Sequence, residues 1–214
     1  MDTSVPVKRT HEKTVEEMKQ AKKECNSKKT NIDGVKGPSM LMHLKYYDLI
    51  KNQIPDPMHA ISGIVKQYID ILMTSVGKEY YIGSPSVIKT IIDRMMSIQA
   101  HSCFPRDIRP INYRGVYKAK DWFNLLIFYI LPCLKGLIPQ KYLDHLAMLV
   151  KAIYILMEDN ISEKSLNEAE NLLLNFVVLF QEYFSKASMN FNVHLLLHMA
   201  ERYIIILEYS KIII

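Results

Sequence analysis

The 214-residue sequence contains little cysteine, and the placement of that cysteine argues against two common kinds of small domain. Cys25, Cys103 and Cys133 are scattered, odd in number and not in C-x-x-C spacing. They therefore indicate neither a disulfide framework nor a thiolate zinc site. A reducing compartment fits this usage, so we expect the protein to stay inside the cell.

Long hydrophobic runs are also missing. The start of the chain has no apolar segment of the kind that a secretory signal contains. The most apolar stretch, residues 122–134 (WFNLLIFYILPCL), is well short of the ~20 residues that a membrane span needs, and it contains Asn124 and Pro132. We therefore predict a buried core helix there and no membrane partner.

The common catalytic motifs are absent as well. The sequence has no G-x-G-x-x-G, no Walker loop, no G-x-S-x-G and no reactive Cys/His arrangement. It also has no internal repeat and no low-complexity segment. Motifs alone therefore predict no cofactor and no small-molecule substrate.

What the sequence does contain is a large share of apolar residues at helical spacing. Hydrophobic residues make up 49% of the chain, enough for the core of one domain of ordinary size. Spacings of three and four predict helices over about 57–74, 119–135, 139–158, 163–186 and 191–208, and another after Ser84. Because short turns join long helices, we predict a mostly α fold, an antiparallel helical bundle with at most one or two short strands.

The N-terminal part is predicted to be irregular. Residues 11–26 fit one weakly anchored amphipathic helix, and residues 27–40 are rich in loop-forming Gly, Pro, Asn and Asp. We therefore divide the chain into a polar helix with a linker, 1–40, and a helical domain, 41–214. Residues 40–54 fit a short strand or a helical turn. Two helix starts are predicted from capping residues: a serine cap at Ser84, and a group of capping residues over 160–165 that includes Ser162 and in which Ser165 with Glu168 fits a capping box.

The first candidate site is Asp56-Pro-Met-His59, directly ahead of a predicted helix. An Asp at a helix start accepts hydrogen bonds from the unpaired backbone N–H groups, so capping alone explains it. A carboxylate and an imidazole three residues apart can also hold a metal ion or each other. Spacing favours the cap and leaves the other interpretation open.

The second candidate is His194-Leu-Leu-Leu-His198-Met-Ala-Glu201. Histidines at i and i+4, with a Glu at i+7, share a helix face that a metal site could use. The H-E-x-x-H pattern of zinc peptidases is absent, because Leu195 stands where the catalytic Glu would be. The alternative, which the Leu-rich surroundings favour, is a pair of polar groups at a helix-packing seam.

The charge of the chain is mildly basic. The net charge is +5 and the pI is near 8.9, which is compatible with nucleic-acid contact without requiring it. Arg114, Lys118 and Lys120 are the candidate DNA contacts. Trp122 could stack on a base, but its place in an apolar helical run favours the core.

Several segments, in order along the chain, resemble transposase-derived proteins of the CACTA and related groups. They are RTHEKT, GVKGPS, IPDPMHAISGIVKQYIDIL, YKAKDWFNLLIFYILPCLKGLIPQKYLDHLAMLVKAIYIL and NVHLLLHMAE. The resemblance runs from about residue 9 to about residue 201.

The resemblance implies an RNase-H-like DDE/D nuclease fold that is interrupted by a helical insertion. Such proteins have a D-x-x-H signature, which Asp56 and His59 match, and the helices after it resemble the insertion. The implied activity is DNA cleavage and joining in the nucleus, with two Mg²⁺ or Mn²⁺ ions held by carboxylates. Asp56 is the implied metal ligand.

The chain departs from this family at both ends. Only eight residues precede RTHEKT, where the family has its first two catalytic carboxylates, and the end, RYIIILEYSKIII, is an atypical apolar tail. We therefore expect a transposase-derived fragment without strand-transfer activity of its own. The alternative is a non-enzymatic helical module that binds DNA, another protein or a second copy of itself.

Overall fold

The computed structural model describes residues 9–24, 32–52, 56–98 and 109–199. Most residues in these ranges are helical, and the one extended pairing among them is an isolated bridge between Ile32 and Val35. The predicted mostly α fold is confirmed. Several residues named above lie outside the described ranges: Cys25, Cys103, Glu201 and the tail 202–214.

The chain divides into two compact units, Met1–Pro55 and Asp56–Ile214, whereas the sequence placed a boundary after residue 40. The first unit contains helix α1, His11–Glu24, and a 3₁₀ turn, Met40–His43. Of the two predictions for residues 40–54, the helical turn is therefore the one observed in the described part. The Nδ1 atom of His11 accepts a hydrogen bond from the Leu49 backbone N–H at 3.0 Å, which ties α1 to the segment after the turn.

The loop-forming residues of this unit make a tight turn. Asp33 and Gly34 have φ angles of 47° and 87°, so two successive residues are in the left-handed region. This is the backbone of a two-residue hairpin turn, for which Asp-Gly is a preferred pair because glycine has no Cβ to clash. The turn brings Ile32 and Val35 together.

The second unit contains the long helices. In chain order they are α2 (Pro57–Thr74), α3 (Pro85–Ser97), a 3₁₀ segment (Ile111–Val116), α4 (Ala119–Asn124), a π turn (Leu125–Tyr129), α5 (Ile130–Leu134), α6 (Gln140–Leu156), α7 (Glu163–Phe184), a 3₁₀ turn (Lys186–Ser188) and α8 (191–199). Within the described ranges, no helix has both the length and the apolar content needed to cross a membrane.

The helix starts correct two predictions. Ser84 precedes α3 as predicted, but its side chain makes no capping hydrogen bond, and its Oγ lies 3.4 Å from that of Ser86. The predicted capping box at Ser165 is wrong. Helix α7 begins at Glu163, as the apolar spacing predicted, because the Ser162 hydroxyl accepts from the Ser165 backbone N–H at 3.0 Å, and Glu168 bonds to Lys151 instead.

The apolar run 122–134 is buried as predicted, but its helix is not uniform. Trp122 is 4% exposed, and every residue of the π turn except Phe128 is buried. Pro132 has no N–H to donate to an earlier carbonyl, and a widened turn is one way a helix accommodates such a residue. The Tyr154 hydroxyl, from α6, donates to the Ile127 carbonyl within this turn at 3.3 Å.

Arg94 donates hydrogen bonds to carbonyl groups at the end of the same helical segment. One nitrogen of its guanidinium donates to the carbonyls of Cys133 at 2.9 Å and Lys135 at 2.7 Å. The last carbonyls of a helix have no partner within the helix, and a cation there also opposes the negative end of the helix dipole. Arg94 therefore fastens α3 to the end of α5.

The helices α6 and α7 are antiparallel. Going forward along α6, the partners in α7 go backward: Tyr142 contacts Tyr183, His145 contacts Phe176, and Lys151 bonds to Glu168. The predicted antiparallel arrangement is therefore observed for this pair. Its inner face carries a cluster of aromatic rings that also includes Tyr68 of α2.

At the centre of this cluster is His145, which is fully buried. Its Nε2 lies 2.8 Å from the Phe176 carbonyl oxygen, which can only accept, so Nε2 carries the hydrogen. Its Nδ1 then accepts from the Tyr68 hydroxyl at 3.0 Å. The ring stacks on Phe176 with 4.2 Å between centroids. Burial lowers the pKa of His145 to about 4, against the opposing effect of the Phe176 carbonyl.

The burial of His145 predicts a loss of stability in mild acid. Between the ordinary pKa of 6.5 and the folded pKa of about 4, the unfolded chain binds a proton that the folded chain excludes. The contribution of neutral His145 to stability is therefore fully present above pH 6.5 and is lost as the pH is lowered toward 4. Because a pKa difference of one corresponds to about 1.4 kcal/mol, the difference of about 2.5 predicts a loss of about 3 kcal/mol. Urea unfolding across this pH range measures it.

The matched control for that measurement is His145→Gln, which has no titrating group at this position. Between pH 6.5 and pH 4, its free energy of unfolding should fall by about 3 kcal/mol less than that of the parent protein. Carboxylates with lowered pKa values contribute equally to both proteins: Asp48, Asp56, Glu79 and Glu168. An identical pH dependence in the two proteins would contradict the assignment.

Gly83 predicts a second stability difference. A Cβ at this position would lie under 3.0 Å from the Met73 carbonyl oxygen and from the Tyr81 ring, whereas a Cβ at Gly115 would meet nothing within 4 Å. We expect Gly83→Ala to destabilise the protein by about 1–3 kcal/mol, since backbone must move to relieve the overlap. Gly115→Ala should stay within about 0.5 kcal/mol of the parent protein. Equal denaturation midpoints for the two variants would show that the site adjusts freely.

Candidate functional site

Asp56 is the N-cap of α2, as the sequence predicted. Its Oδ1 accepts from the backbone N–H of Met58 at 2.9 Å and from that of His59 at 3.4 Å. Pro57 occupies the first helical position, where the missing N–H costs nothing. The cap explains why the helix begins here.

The same carboxylate also binds the imidazole of His59. Its Oδ2 pairs with His59 Nδ1, and this bond, together with the two backbone N–H groups, lowers the pKa of Asp56. An ionised carboxylate only accepts, so Nδ1 carries the hydrogen and Nε2 faces away from the carboxylate. The cap and the side-chain pair, which the sequence left as alternatives, therefore coexist, and both oxygens of Asp56 are engaged.

His194 and His198 are brought together on α8. Their ring centroids are 5.1 Å apart and their planes are inclined by 74°. His194 is exposed and His198 is half-buried, whereas Val193 and Leu196 are the residues of this helix that are buried. The predicted third member, Glu201, lies outside the described residues.

Two pairs are thus formed, Asp56 with His59 and His194 with His198. Among the residues that the structure describes, no group of three or more His, Cys, Asp or Glu side chains could hold a metal ion. Within the described residues, the two pairs therefore do not form one cluster of ligands.

The candidate DNA-contacting residues lie in a short stretch, residues 109–120, which we call the basic segment. It contains four cations and no carboxylate: Arg109, Arg114, Lys118 and Lys120. Lys118 and Lys120 are exposed, as phosphate contacts must be. Arg114 is different, because its Nε lies 3.2 Å from Oδ1 of Asp70 in α2. This ion pair positions the segment on α2.

The basic segment is held firmly on its inner side. Ile111 is 1% exposed, and the ring of Tyr117 packs edge-on against Trp122 with 5.0 Å between centroids. The Tyr117 hydroxyl donates to the Arg109 carbonyl, which closes the segment on itself. Burial raises the pKa of Tyr117 well above its ordinary value, so this donor keeps its hydrogen.

Tyr113 is the residue of this surface that sequence reasoning missed. It is 58% exposed, at the outer side of the 3₁₀ segment. Trp122, the aromatic residue that was considered for stacking, is in the core as the sequence favoured. The signal for Tyr113 was its position between basic residues and outside any apolar periodicity.

Comparison with known proteins gives no relative: no protein-family model, no curated protein and no solved structure matches the chain. The resemblance to CACTA-type transposases therefore stays a prediction from the sequence.

The two roles of Asp56 can be separated by substitution. Asp56→Ala removes both the cap and the His59 partner, so it should lower the urea midpoint. Asp56→Asn keeps an oxygen that can accept from the backbone N–H groups, since Asn is as good a cap as Asp, and should unfold close to the parent midpoint. His59→Ala leaves the cap and should also change little. If Asp56→Asn lowered the urea midpoint as far as Asp56→Ala, the charge of Asp56 or its contact with His59 would contribute more to stability than the cap.

Proposed function

We propose that the chain is a transposase-derived helical module that does not perform strand transfer itself and that contacts nucleic acid through the basic segment. The transposase origin rests on the ordered sequence segments described above. The nucleic-acid contact rests on one observation, a clamped surface stretch on which the exposed Tyr113 is followed by two exposed lysines, Lys118 and Lys120.

The engagement of Asp56 supports the non-catalytic part of the proposal. Two-metal chemistry needs carboxylate oxygens that are aimed at ions about 4 Å apart. Here Oδ1 of Asp56 is directed at the backbone of the first turn of α2, and Oδ2 at His59. Metal binding by Asp56 would have to compete with the bonds that begin the helix.

The chemistry of the basic segment supports the nucleic-acid part. Lysine ammonium groups attract phosphates, and an exposed aromatic ring offers a face on which a base can stack. The clamp formed by Ile111 and Tyr117 holds the backbone in place, so little conformational entropy is lost when phosphates bind. Such a module would act where DNA is, in the nucleus.

The proposal predicts a salt-dependent affinity that depends on two lysines. Replacing Lys118 and Lys120 together by Ala should reduce the slope of log K against log salt by about 2 for duplex DNA, because each phosphate contact contributes about 0.9. Fluorescence anisotropy with a labelled duplex between ~50 and ~200 mM salt measures the slope. Arg114 is left intact because it also pairs with Asp70.

The matched control is the double replacement of Lys151 and Lys164 by Ala, which changes the net charge equally. Lys151 bonds to Glu168, and both lysines lower the pKa of that carboxyl, so their charge is offset locally. This variant should keep the parent slope. Equal slopes for the two double variants would remove the basic segment from the proposal, and strand transfer by the chain in Mg²⁺ or Mn²⁺ would overturn the non-catalytic part.

A further inference from the structure

His194 and His198 form a surface pair whose geometry suits a metal ion. We infer that these two imidazoles bind one divalent ion of the Zn²⁺ class between them, with water or another ligand in the remaining positions. The inference is independent of nucleic-acid binding and of the family resemblance.

The spacing of the rings carries the inference. Zinc binds imidazole nitrogen at 2.0–2.1 Å, and two imidazoles on one tetrahedral ion have centroids about 5 Å apart. The centroids of His194 and His198 are 5.1 Å apart. Their planes are inclined by 74°, so the rings are not stacked face to face.

The helix that carries the pair is fixed at its start. The Asn190 side chain accepts from the Val193 backbone N–H at 3.0 Å, which caps α8. The Asn192 side chain packs on Gly63 of α2, where any Cβ would lie under 3.0 Å from its amide nitrogen. Val193 and Leu196 are 0% and 1% exposed. The two histidines are therefore presented on an anchored helix, which limits the entropy lost on chelation.

The chemistry of the ligands selects the ion. Imidazole suits Zn²⁺, Cu²⁺ and Ni²⁺, whereas Mg²⁺ and Mn²⁺ prefer carboxylate and carbonyl oxygen. The ion expected here is therefore different from the ions that the transposase resemblance implies. The exposed side of His194 gives the ion access from solvent.

The test is a titration of the whole chain with Zn²⁺ at pH 7.5, followed by calorimetry and by thermal unfolding. Zinc should bind with a stoichiometry of one at this site and raise the Tm, because it binds the folded protein more tightly than the unfolded chain. Mg²⁺ at the same concentration should not. His194→Asn and His198→Asn should each weaken zinc binding more than tenfold, since one imidazole remains.

His59→Asn is the matched control, because it removes another exposed histidine, one that lies beside a carboxylate. It should bind zinc like the parent protein. Zinc binding that survives the double His194/His198 replacement, or that is lost only in His59→Asn, would overturn the inference.

A measurement on the parent protein covers the case in which a variant fails to fold. Histidine-selective ¹H–¹⁵N spectra should show two imidazoles shifting together as one equivalent of Zn²⁺ is added. Unchanged imidazole signals at saturating zinc, or a shift of one histidine alone, would also overturn the inference.

Discussion

One buried imidazole determines how the helices of the Asp56–Ile214 unit meet. His145 of α6 is hydrogen-bonded to α2 through Tyr68 and to α7 through the Phe176 carbonyl, so three helices share one polar centre inside an aromatic cluster. Apolar packing alone allows helices to slide, whereas a buried donor left without its acceptor costs about 1–3 kcal/mol. The two hydrogen bonds of His145 therefore select one register of α6 and α7. The Tyr142 hydroxyl adds a further link, to Glu79, at the edge of the same cluster.

The candidate sites lie outside this packed centre, at or near the ends of helices. Asp56 and His59 lie at the first turn of α2, the basic segment runs into the first turn of α4, and His194 and His198 lie on α8. In each case a small number of bonds fixes the backbone while charged or aromatic groups remain exposed. A fixed backbone that carries accessible polar or aromatic side chains is the combination that binding surfaces need.

Much of the architecture was predictable because it depends on apolar spacing. The helical faces around Tyr68, the buried run 122–134 and the cap at Asp56 all follow from local patterns. What spacing did not reveal was the partner of each polar group. Ser165 and Glu168 fitted a capping box, but the hydroxyl that accepts from the backbone is that of Ser162. The pairing of Arg114 with Asp70 joins residues far apart in the chain, and no local pattern encodes it.

The π turn could not be predicted from the sequence, although Pro132 stood out within the apolar run. A proline within an apolar helical run predicts a disturbance but not its form, which depends on which neighbour can satisfy the helix. The exposure of Tyr113 likewise depends on Ile111 and Tyr117 taking the inner positions of their segment. For the candidate sites, the sequence therefore identified most of the residues, and the structure supplied their partners.

Contacts of α2 with residues 188–192 fix the direction and the register of α8. The Gln67 side chain donates to the Ser188 carbonyl at 2.6 Å, and Gly63, earlier in α2, receives Asn192, later in the chain. The two segments therefore run in opposite directions, and α8 extends toward the end of α2 at which Asp56 lies. A shift of α8 along α2 would therefore have to break the Gln67 hydrogen bond and displace Asn192 from Gly63 at the same time.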